Sequence, residues 1–110
     1  MIPYLSCVLS FRSDLPLPEV AAEVSALLLG NCPMIEDYVW EETSYRNVSP
    51  VLGLMCVING SPGHVYFLEI LPANGSECSP GSDLDLGPLV AHYLATAEHI
   101  REVSVISAVI

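Results

Sequence analysis

The chain has 110 residues, 52% of them hydrophobic and 15% charged, and thirteen Asp and Glu against three Arg give a formal net charge of -10. That much apolar material excludes global disorder, and the length is that of one domain, residues 1–110. Lysine is absent, and Arg12, Arg46 and Arg101 are the only fixed cations, which argues against phosphate binding and hence against a nucleic-acid partner.

Residues 2–11 alternate, with Leu5, Cys7, Leu9 and Phe11 on one face and Ser6 and Ser10 on the other. A period of two predicts a strand. Ser13 or Asp14 then offers a helix cap, and Pro16 or Pro18 fits a first helical turn. Leu17, Val20, Ala21, Val24, Leu27 and Leu28 recur at helical spacing, and Gly30-Asn31 followed by Pro33 is a stop. Glu36–Tyr45, aromatic and acidic, reads as one strand. The apolar runs Val51–Ile58 and Val65–Leu71 flank the turn Asn59-Gly60-Ser61-Pro62-Gly63 and should pair as an antiparallel hairpin. Pro72–Gly81 has loop composition. Ser82 and Asp85 have capping-box spacing, and Leu86, Leu89, Val90, Tyr93, Leu94 and Ala97 form a second helical stripe. Val103–Ile110 reads as a final strand.

The expected fold is therefore α+β, in the order β-α-β-β-β-α-β, a mostly antiparallel sheet with two helices on one face. The pattern resembles a ferredoxin-like arrangement with an added strand.

No stretch reaches the roughly 18 apolar residues of a membrane span, and no cation precedes the first apolar run as a secretory signal would require. A cytoplasmic protein without a membrane partner is the expectation. In that compartment Cys7, Cys32, Cys56 and Cys78 are expected to stay reduced. They lack the paired spacing of a zinc site. Asn47-Val-Ser, Asn59-Gly-Ser and Asn74-Gly-Ser match the glycosylation pattern but read as turn and loop residues.

No spacing selects a pair of catalytic carboxylates. Three arginines give little support to a reactive thiol. His92 and His99 lie seven apart, too far for one ion if both sit on a helix. The expectation is a protein that is not an enzyme and carries no cofactor or metal. The acidic-aromatic run Glu36, Asp37, Tyr38, Trp40, Glu41 and Glu42 is the candidate partner-binding segment. In one continuous strand Tyr38, Trp40 and Glu42 would share a face, with Asp37, Val39 and Glu41 on the other. Aromatic anchors ringed by carboxylates suit a basic protein partner. The same residues also fit core aromatics with acids along a solvated edge. The leading functional expectation is a binder that neutralises a basic protein, such as an immunity protein against a bacterial toxin domain. The alternative is a homodimer or larger homo-oligomer, structural or regulatory, associating through Val103–Ile110.

Overall fold

The computed structural model describes residues 4–39, 42–73 and 83–106. Strand β1 (Tyr4–Arg12) leads into α1 (Leu17–Leu28). A four-strand meander follows: β2 (Met34–Val39), β3 (Glu42–Asn47), β4 (Leu54–Asn59) and β5 (Val65–Pro72). A short β6 (Asp83–Asp85), then α2 (Gly87–Leu94) and β7 (Arg101–Val105) complete the described chain. The strands lie in the order β2-β3-β4-β5-β1, with β6 and β7 end to end along the far side of β1. Every pairing is antiparallel except that of β6 with β1.

This is the expected α+β fold. The Glu36–Tyr45 segment is a hairpin rather than one strand, which adds a strand to the meander. β5, α2 and β7 make a split β-α-β unit across β1, as in a ferredoxin-like sheet. The longer meander sets β5, β4 and β3 between β1 and β2, the two strands that α1 joins.

Alternation places Cys7, Leu9 and Phe11 of β1, Cys56 and Ile58 of β4, and Tyr66, Leu68 and Ile70 of β5 in one buried cluster. Both helices cover that face, α1 through Leu17, Val20, Ala21 and Val24, α2 through Val90 and Leu94. Phe11 and Tyr66 are register partners with rings stacked at 5.6 Å. The Tyr66 hydroxyl donates to the Leu15 carbonyl at 2.6 Å, tying the sheet to the start of α1. Gly60 in the β4–β5 turn has φ +133, and a Cβ there would stand 2.7 Å from the Tyr66 Cα and the Val65 carbonyl. Only glycine fits that approach.

Several local expectations shift. Pro16 occupies the N-cap of α1, with no side-chain cap. The Ser13 hydroxyl instead accepts from the Leu15 amide within the connecting turn. Asp85 belongs to β6 rather than to a capping box, because Tyr4, Leu5 and Ser6 of β1 claim the backbone of Asp83–Asp85 as a parallel ladder. Ser82 and Cys78 lie outside the described residues. Helix α2 ends at Leu94, so His99 lies in a turn beyond it. Strand β7 starts at Arg101 rather than Val103, because its first two residues find charge partners. Arg101 makes two 3.1 Å bonds to the Asp14 carboxylate. Glu102, at φ +53 in a bulge against β1, pairs with Arg12 at 2.9 Å.

Candidate functional site

The candidate segment is edge strand β2, the 40–41 connection and the first residue of β3. Among the described residues β2 pairs only with β3, so one side of it is an open strand edge. The register sets Glu36 opposite Tyr45, Asp37 opposite Ser44, Tyr38 opposite Thr43 and Val39 opposite Glu42. Because the segment turns back on itself, Glu42 stands across the ladder from Val39. It does not continue the alternation from Tyr38 and Trp40 that a single strand would give. Trp40 and Glu41 lie outside the described residues.

The two acids whose side chains are described, Glu36 and Asp37, do not share a face. Glu36 is exposed on the side shared with Tyr45, which packs against the core. Asp37, next along the strand, points to the opposite side, where its carboxylate meets the Arg46 guanidinium at 2.9 Å. Arg46 also donates to the Asn47 carbonyl at 3.3 Å, and the Ser44 hydroxyl donates to the Asp37 carbonyl at 3.3 Å. Asp37 is thus part of the hairpin's own bracing. The other two arginines are engaged in the same way, Arg12 with Glu102 and Arg101 with Asp14.

Asn47 anchors the other end of the hairpin. Its side-chain amide donates to the Ser49 carbonyl at 2.8 Å and the Leu54 carbonyl at 3.1 Å, and its carbonyl accepts from the Cys56 amide at 2.8 Å. The sequence pattern gave it as a turn residue, yet it is fully buried. With its nitrogen donating to two carbonyls, it is no acceptor for a glycan. The nearest signal in the sequence is its place just before Ser49-Pro50, where an asparagine commonly bonds backbone of the coming turn.

At the hairpin's tip end a cleft of about 350 Å³ lies among Thr43, Asn59, Gly60, Val65 and Phe67. Phe67 is 46% exposed there, on the face of β5 opposite the core. Among the described residues the arrangement offers an open strand edge, a partly exposed aromatic ring and the uncompensated carboxylate of Glu36, and no general base beside a nucleophile. Among the described residues no three His, Cys, Asp or Glu side chains converge as metal ligands, and no helix is long and apolar enough to cross a membrane.

Cys7 and Cys56 are both register partners of Ile70, from the strands on either side of it. Two strand spacings put them about 9–10 Å apart, beyond the reach of a disulfide. Burial, and next to it the neighbouring Cys7, pushes the Cys56 thiol up to about 12. It is therefore a neutral core group rather than a nucleophile.

Compared with known proteins, the chain matches no family model, no curated protein and no solved structure.

Proposed function

We propose that the chain is a small cytoplasmic protein-binding domain that docks on a basic protein partner through the β2–β3 hairpin and the Phe67 cleft. An immunity protein that occludes the cationic face of a toxin domain is the concrete form. The observation that supports it is the disposition of charge. Each arginine faces a carboxylate of the same chain, and thirteen acids against three arginines leave a formal net charge of -10. A field of that sign raises the encounter rate with a cationic protein. The open edge of β2 supplies backbone groups for an added strand, and Phe67 supplies an apolar contact.

The test is charge reversal at Glu36, Glu41 and Glu42 to Lys, measured against any cationic C-terminal domain that a flanking gene is found to encode. Association should slow, and the difference from wild type should shrink between about 0.05 and 0.5 M salt as the field is screened. Trp40→Ala separates anchor from core. Faster dissociation with an unchanged melting temperature marks an interface anchor. A fall in stability of roughly 3–5 kcal/mol marks a core residue. A triple Lys variant that folds and binds like wild type at low salt removes the hairpin from the interface.

A second reading is favoured by β7. Among the described residues β7 pairs only with β1, and Val105 and Ile106 are 38% and 49% exposed. A second copy adding to that edge gives a homo-oligomer, recognised by concentration-dependent sedimentation without salt-sensitive hetero-association.

A further inference from the structure

At the end of the sheet away from the hairpin tip, the C-terminal turn of α1, the start of α2 and the β3–β4 connection enclose a cleft of about 340 Å³. Its floor is Cys56, Ile70 and Val90, all buried. Among the described residues every lining side chain is apolar apart from the thiol of Cys56 and the ring hydroxyl of Tyr93, and no charged one enters, in a protein of net charge -10. A volume of this size lies within the range of small-molecule sites. It is more than twice the 150 Å³ at which an apolar cavity already holds benzene.

The rim carries a second, independent feature. Val51 and Leu54 exchange backbone hydrogen bonds around a two-residue turn, Leu52-Gly53, with φ of 51 and 75. Such a turn favours Asn-Gly, because both positions need positive φ, and leucine is an uncommon occupant. Leu52 is nevertheless held in this conformation, 93% exposed, over the cleft. Leu89 and Tyr93 of α2 complete the rim, 56% and 46% exposed. A strained backbone and an apolar side chain in water are both unfavourable, and the second cost is relieved if something apolar covers Leu52.

We propose that this cleft binds one neutral, apolar small molecule, of the bulk of two aromatic rings or an equivalent aliphatic chain, with Leu52 as its rim contact. A carboxylate or ammonium on the ligand would find no counter-charge among the described lining residues, and the Cys56 thiol stays protonated at neutral pH. The site is separate from the proposed protein interface: Leu54 and Asn59 stand at opposite ends of β4, the first at this cleft and the second at the hairpin tip.

The test uses the full chain and N-phenyl-1-naphthylamine, a neutral probe that brightens on leaving water. Saturable binding of one equivalent is expected, with methyl NMR shifts at Leu54, Ile70 and Val90. Leu52→Asn should weaken the probe about tenfold, the loss of part of one leucine's burial, while the melting temperature holds or rises because Asn suits positive φ. That opposition is what a purely structural leucine would not give. Leu89→Gln serves as a second rim variant with the same expected direction of affinity. Phe67→Ser, on the other face of the sheet, should leave affinity unchanged. The proposal is overturned by no saturable binding, by Leu52→Asn and Leu89→Gln both binding like wild type, or by loss of binding in Phe67→Ser. Dimers that the probe dissociates would also overturn it, since the cleft would then be the seat of a second copy.

Discussion

An alanine at position 47 would strand the buried amide of Cys56, which has the Asn47 carbonyl as its acceptor, and free the carbonyls of Ser49 and Leu54 from their donor. Leaving one buried donor unsatisfied costs about 1–3 kcal/mol. Asn47→Ala is therefore expected to lower stability by at least that range in urea denaturation. Asn47→Asp, which replaces the donor with a buried charge, should do worse. A midpoint for Asn47→Ala equal to wild type would mean that backbone or water replaces the amide. The residue shows what pattern reading loses: composition marks asparagine as a turn former, and only the three backbone groups converging on position 47 turn it into an interior strut.

At the scale of elements, β1, α1 and the hairpin of β4 and β5 were legible, because each combines one clear period with strong stops such as Gly30-Asn31 and Asn59-Gly60. Helix α2 was legible in kind but not in extent. Leu89 and Tyr93 share the apolar spacing of Val90 and Leu94, yet they are exposed while the latter are buried. Periodicity registers which side chains are apolar, not whether another element covers them. Val90→Asp is accordingly expected to unfold or severely destabilise the domain, whereas Leu89→Asp should stay within about 0.5 kcal/mol of wild type. Equal melting temperatures for the two would reverse the assigned face.

Strand β7 supplies the pH-sensitive element. The Arg101 guanidinium holds the Asp14 carboxyl below its ordinary 3.8, chiefly by hydrogen bonding and then by its charge. A carboxyl lowered in the folded state stabilises above the ordinary value, and that contribution is lost as pH falls through the lowered one. Both side chains are exposed, so salt screens the pair. A carboxyl NMR titration should place Asp14 below 3.8 at low salt and return it towards 3.8 in Arg101→Gln. An unchanged titration in that variant would assign the shift elsewhere.

For the whole molecule, composition already gave the sign and size of the charge, but not its arrangement. The acidic run was visible as six residues. It was not visible that Asp37 would turn to Arg46 while Glu36 faced away, because the pairing depends on the register of β2 with β3. With all three arginines facing carboxylates, the protein is expected not to bind duplex DNA or RNA at about 0.15 M salt, where the usual 6–10 phosphate contacts cannot be assembled. A mobility shift at micromolar protein that fades with added salt would contradict this.

Strand β1 has β5 on one side, and among the described residues its other side is closed only by β6 and β7, which arrive after seventy or more intervening residues. A ribosome adding about 5–20 residues each second therefore leaves β1, the strand next to that edge of the sheet, bare along one flank for several seconds. During that interval Leu9 and Phe11 stand beside an unmatched row of amides and carbonyls. The segment β6-α2-β7 is thus a clasp that the nascent chain fastens last. Any lesion that loosens it leaves β1 as an open edge, the surface on which strands from other molecules add.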